Sequence, residues 1–100
     1  MARKKLSETE IENALAALDG WKTEDSQLKK RFSFTNFAES LAFVNRVGAI
    51  AEQLDHHPDI LFGWGYAEFF ITTHDAGGIT RNDFTLAKEI DELGENDENT

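Results

Sequence analysis

Leu6, Ile11, Leu15 and Leu18 recur at helical spacing around Ser7-Glu8-Thr9-Glu10, so the chain opens on an amphipathic helix. Ser7 and Glu10 stand at capping-box spacing, and Leu6 before the box with Ile11 after it are placed as a hydrophobic staple. Asp19-Gly20 ends this helix. Residues 21–23 and 28–34 then alternate as two strands of a hairpin around Glu24-Asp25-Ser26-Gln27. Leu28, Lys30, Phe32 and Phe34 share one face of it, and Lys29 and Arg31 point the other way.

Thr35-Asn36 starts the longest helix. Phe37, Leu41, Val44, Gly48 and Ala51 form one row along it and Phe43, Val47, Ile50 and Leu54 the neighbouring row, which predicts a wide buried stripe. Pro58 limits its end, because a residue before proline is pushed out of the α region; His57 is therefore expected extended and His56 near the last turn. A connection with room for a short strand leads to residues 66–74, the clearest period-two stretch, with Ala67, Phe69, Ile71 and Thr73 on one side. Tyr66, Glu68, Phe70, Thr72 and His74 face the other side.

After the turn Asp75-Ala76-Gly77-Gly78, the N-terminal device recurs: Thr80 as cap, Asp83 at the third helical position, and Ile79 against Phe84 as staple. A third helix follows to about Leu93. This order of elements predicts an α+β fold, an antiparallel sheet with helices packed on one face. The 100 residues read as one domain, with 1–5 and 94–100 as frayed termini.

Charge narrows the function. Ten Lys and Arg against nineteen Asp and Glu leave a net charge of −9, which repels phosphate backbones and anionic lipid, so neither nucleic acid nor membrane is an expected partner. Such a chain buries only about 60–65% of its unfolded surface, and a core this thin favours a homo-oligomer. No cysteine is present, which removes disulfides and thiolate ligands and fits a reducing compartment. With no apolar leader after Arg3-Lys4-Lys5 and no membrane-length apolar run, the expected location is the cytoplasm.

The candidate chemistry is concentrated in Asp55-His56-His57-Pro58 and His74, which include all three histidines. Imidazole titrates near neutrality, so this is how a small proton-transfer site would look. Glu52, one helical turn before His56, is placed to hydrogen-bond an imidazole. The spacing matches none of the compact zinc patterns, so no metal is expected. Asp83 reads as a helix cap rather than a catalytic acid. Trp21 and Trp64 suit either core packing or stacking on a flat heterocycle.

Glu52-x-x-Asp55-His56-His57-Pro58, the aromatic Trp64, Thr73-His74-Asp75-Ala76-Gly77-Gly78 and Asp83 together resemble the signature of the pterin-4a-carbinolamine dehydratases. Trp21, Arg31-Phe32-Ser33-Phe34, Phe37 and Leu86-Ala87 extend the resemblance over most of the chain. It implies a four-stranded antiparallel sheet with three helices on one face, assembled as a homodimer or homotetramer, with no metal or cofactor. The implied reaction is dehydration of a 4a-hydroxytetrahydropterin to the quinonoid dihydropterin, which recycles the cofactor of aromatic amino-acid hydroxylases. By the same resemblance His56 and His74 are the acid/base pair and His57 holds the pterin. Glu52 and Asp55 orient and polarise the histidines, and Pro58 and Trp21 shape the wall against the ring. Animal members also act as dimerisation cofactors for a transcription factor, so a non-catalytic binding role is the alternative.

Overall fold

The computed structural model describes residues 4–98, so Arg3 of the basic run and the last two residues of the acidic tail lie outside it. Helix α1 (Glu8–Leu15) leads into the hairpin β1 (Lys22–Glu24) and β2 (Gln27–Ser33), then α2 (Phe37–Leu54). Strands β3 (Asp59–Gly63) and β4 (Tyr66–Ile71), a 3-10 turn (His74–Ala76) and α3 (Arg81–Glu98) follow. The four strands form one antiparallel sheet in the order β1-β2-β4-β3, giving the expected α+β fold.

Local rules account for the element starts. Ser7 accepts from the Glu10 N–H at 3.2 Å while Glu10 accepts from the Ser7 N–H at 2.9 Å, closing the capping box. Those bonds hold the Glu10 carboxyl below its ordinary range. Asn36 accepts from the Glu39 N–H at 2.9 Å, and the Glu39 carboxylate reaches back to the Thr35 N–H at 2.9 Å. The hairpin closes through Asp25 and Ser26, both with positive φ (54° and 62°), the twist that a two-residue connection between antiparallel strands prefers.

Packing follows the predicted periods. Ala67, Phe69 and Ile71 of β4 are fully buried, whereas Tyr66, Glu68 and Phe70 are only half-buried on the opposite face. Phe43 of α2 is the centre of the core, with ring centroids 5.1 Å from Phe32, 5.1 Å from Phe34 and 5.9 Å from Phe69. Truncating such a ring typically costs about 3–5 kcal/mol. Leu86, Ala87 and Ile90 bring α3 onto the same core. Gly94 lets that helix approach β2 closely, since a Cβ there would lie 3.1 Å from the Phe32 ring.

Four expectations change. Helix α1 stops at Leu15, short of Leu18 and the Asp19-Gly20 expected to end it. The α2 stripe is wider than the surface beneath it: Phe43, Val47 and Ala51 are buried, but Phe37, Leu41 and Leu54 stay exposed at 45%, 38% and 39%. Phe37 stacks on Phe62 of the edge strand β3, with ring centroids 5.8 Å apart, and there the sheet ends. Strand β4 stops at Ile71, so His74 belongs to the 3-10 turn rather than to the strand. Helix α3 runs past Leu93 to Glu98.

Candidate active site

The site is built where the end of α2 meets the start of α3. Helix α2 ends at Leu54, a full turn before Pro58, because Asp55 adopts left-handed backbone (φ 52°, ψ 43°). The Asp55 N–H then bonds the Glu52 carbonyl at 3.2 Å and the His56 N–H bonds the Ala51 carbonyl at 3.0 Å, the two reciprocal bonds of a Schellman cap. Glycine is the usual residue at that position; aspartate is among the few others that tolerate it. The cap takes His56 off the helical spiral and turns it inward, where it is only 6% exposed.

Asp83, fully buried, receives it. The His56 Nε2 bonds Asp83 Oδ1, and Oδ2 of the same carboxylate accepts the Thr80 N–H at 2.8 Å and the Thr73 hydroxyl at 3.0 Å. Asp83 therefore completes the capping of α3 from its third position, as its spacing from Thr80 implied, and is also the partner of a histidine from another helix. Thr73 and Thr80 are both buried and their hydroxyls lie 2.8 Å apart. Thr73 is held in turn by a two-way backbone bridge to Gly78, which closes the loop carrying His74.

The remaining predicted residues take different places. Glu52 pairs with His57, not with His56, and both side chains are open to solvent. This follows from the cap, which directs His56 into the protein and leaves His57 outside. Pro58 is half-buried directly after them. His74 is exposed at the first position of the 3-10 turn, adjacent to Thr73, so two intervening side chains, Thr73 and Asp83, connect its backbone to His56. Trp21 is a core residue: it is 7% exposed and its indole N–H donates to Asp91 at 3.0 Å. Asp91 lies about 12 Å along α3 from Asp83 at 1.5 Å per residue, so the hydrogen bond of Trp21 is made about two turns beyond the His56–Asp83 pair. Trp64 is 72% exposed on the β3–β4 turn.

Sequence reasoning did not reach the long-range pairings. The His56–Asp83 bond spans 27 positions, and the signal that marked Asp83, its capping spacing, carried no information about a partner. Lys30 likewise faces the helices because it bonds Asp91 at 2.8 Å and the Asp19 carbonyl at 2.7 Å. Among the described residues no group of three His, Asp or Glu side chains is placed to hold a metal ion. A groove of about 770 Å³ between β2, α2 and α3, lined by Phe32, Phe34, Ala42 and Gly94 among others, is separate from the histidines.

A buried imidazole–carboxylate pair where two helix ends meet, with an exposed imidazole next in sequence to the Thr73 that bonds the same carboxylate, is what this α+β fold builds from the predicted residues. The chain belongs to the family described as Pterin 4 alpha carbinolamine dehydratase, whose profile matches residues 4–93. A Rubrobacter xylanophilus protein provisionally named a pterin-4-alpha-carbinolamine dehydratase is 48% identical over 85 residues, covering 84% of this chain and 79% of its own. A Sulfolobus acidocaldarius protein with the same provisional name is 43% identical over 89 residues, covering 89% and 98%. The crystal structure of a transcriptional coactivator/pterin dehydratase from Brucella melitensis superposes with a TM-score of 0.86 at 30% identity, covering 90% of this chain and 98% of that one. A pterin dehydratase-like protein described as a RuBisCO assembly factor in the alpha-carboxysome gives 0.60 at 27% identity, covering 73% and 84%.

Proposed function

We propose that this protein dehydrates a 4a-hydroxytetrahydropterin to the quinonoid dihydropterin, and so returns the spent cofactor of an aromatic amino-acid hydroxylase to the reducible form. The observation that carries the reading is the His56–Asp83 pair, a desolvated imidazole with one nitrogen committed to a carboxylate, in a chain of this family.

The reaction asks for two proton movements and no redox partner. The N5–H proton leaves, its electron pair forms the N5=C4a double bond, and the C4a–O bond breaks with its pair going to the hydroxyl, which takes a proton and departs as water. Histidines suit both movements because imidazole gains and loses protons near neutral pH. In this reading His56 and His74 are the acid/base groups, and His74, being exposed, re-equilibrates with solvent between turnovers. His57, paired with Glu52 at the surface, holds the pterin, while Asp55 and Pro58 shape the approach to it. Trp21, its indole N–H engaged by Asp91, supports α3 and in this reading shapes the wall against the ring together with Pro58.

The absence of cysteine suits a cytoplasmic setting. We also assign the protein a homodimeric or homotetrameric state, supported by the edge strand β3, where Leu61 is 52% exposed, and by the uncovered Phe37, Leu41 and Leu54 of α2. The same apolar row supports the alternative, a protein-binding role like that named for the Brucella relative. A dehydration assay on enzymatically generated 4a-hydroxytetrahydropterin separates the two: formation of quinonoid dihydropterin above the uncatalysed rate is expected, and its absence overturns the dehydratase reading.

A further inference from the structure

The buried hydroxyls beside Asp83 have a direction, and it can be worked out from what each group is able to donate. Thr73 Oγ1 has one proton, and the only partner of its two that cannot supply a hydroxyl proton of its own is the Asp83 carboxylate, 3.0 Å away. The Thr73 proton therefore goes to Asp83, and the Thr80 hydroxyl must donate to Thr73 across 2.8 Å. Thr80 Oγ1 accepts the Asn82 N–H at 3.2 Å, which completes the run. Every donor in the cluster points toward Asp83, and its Oδ2 receives two of them. Oδ1 is left to accept from His56.

A carboxylate can only accept, so between it and the ring the proton sits on the imidazole Nε2. In the neutral form of the ring one nitrogen is a donor and the other an acceptor, so with Nε2 protonated Nδ1 is the acceptor. The described hydrogen bonds of His56 use Nε2 and the backbone N–H, and none uses Nδ1. Among the described residues no sealed side-chain nitrogen or oxygen lacks a partner, so Nδ1 is not a sealed, unpartnered atom.

We infer that Thr73 and Thr80 are positioning residues for the dehydration: through Asp83 they lock His56 in the Nε2–H tautomer and present Nδ1 as the proton acceptor. This deepens the proposed function and rests on it for the identity of the proton, the one leaving N5 of the pterin. Acid to the departing hydroxyl must then come from another group in the first half of the cycle, because His56 enters the reaction with Nδ1 empty. Neither threonine touches the reacting atoms; each acts through the carboxylate.

Long-range ¹⁵N–¹H correlation on the ligand-free protein at neutral pH reads the tautomer directly. The wild type should show a protonated Nε2 and a bare Nδ1 at His56; an Nδ1–H tautomer, or an even mixture, overturns the inference whatever the activity. Thr73→Val and Thr80→Val keep the shape and remove the hydroxyls. Each should mix the tautomers and lower kcat by about 10–100-fold with little change in KM, the size of a lost supporting contact. Thr73→Ser should restore both. A valine variant that keeps one tautomer and full kcat removes the threonines from the mechanism, and if Thr73→Val does not fold, Thr80→Val and the wild-type spectrum still decide. A locked tautomer in a protein with no dehydration activity would sink the proposed function while leaving the lock in place.

Discussion

His56 Nε2 bonds Asp83 Oδ1 across the junction of α2 and α3, joining the second residue past the end of one helix to the third residue of the next. The pair is buried, and the other carboxylate oxygen is occupied by Thr73 and Thr80. One side chain thus closes a helix start, ties two helices together and orients an imidazole. Any chemical role of Asp83 in the proposed dehydration would rest on the same bonds as its structural one, which shapes what substitution should do.

Replacing Asp83 should be far more damaging than losing a cap. An N-terminal cap contributes about 0.5–2 kcal/mol, whereas removing a buried carboxylate strands the Thr73 hydroxyl, the Thr80 N–H and the His56 ring, a loss of roughly 3–5 kcal/mol. Urea unfolding of Asp83→Ala measures it. A loss under about 2 kcal/mol would mean that capping is the whole of its structural role.

His56 and His74 should separate in stability while agreeing in rate. Either Ala variant should lower the catalysed rate by on the order of 10²–10⁴ after subtraction of the uncatalysed reaction. His56→Ala should also lower the thermal midpoint, because Asp83 Oδ1 loses its partner in a buried place. His74→Ala, at an exposed turn, should leave the midpoint within the scatter of surface substitutions, about 0.5 kcal/mol. Wild-type turnover in both variants would end the acid/base assignment.

Asp55 holds left-handed backbone that glycine adopts freely. Asp55→Gly should therefore leave stability unchanged or raise it by up to about 1 kcal/mol, while Asp55→Ala should lose a comparable amount. Chemical denaturation with steady-state kinetics on both variants gives the readout. If Asp55→Gly is stable and the rate still falls, the carboxylate serves the site; if the rate is unchanged, Asp55 only shapes the cap.

Light scattering at micromolar concentration should give a dimer or tetramer mass. Leu61→Lys, which places a charge on the exposed edge strand, should shift the distribution toward smaller species. A wild-type monomer would contradict the assembly.

What could be read along the chain were the features whose partners lie within a few residues. Ser7 and Glu10 cap each other three positions apart, and the alternation from Ala67 to Ile71 repeats every second residue, so both appear in the sequence as spacing alone. The family signature around His56 and His74 was legible for the same reason, as residue types at set intervals. Tertiary structure decided the rest. Whether the α2 stripe would be wholly covered depended on where the sheet ends, which left Phe37 and Leu41 outside. Glu52 met His57 and not His56 because the left-handed residue Asp55 reverses the chain between them, a backbone state that residue type permits but does not dictate. Above all, the partner of His56 lies 27 positions away, at a distance set by how rigid α2 and α3 pack on Phe43, Leu86 and the sheet. A side chain of a few ångströms can select a partner only after packing has placed the two backbones within its reach.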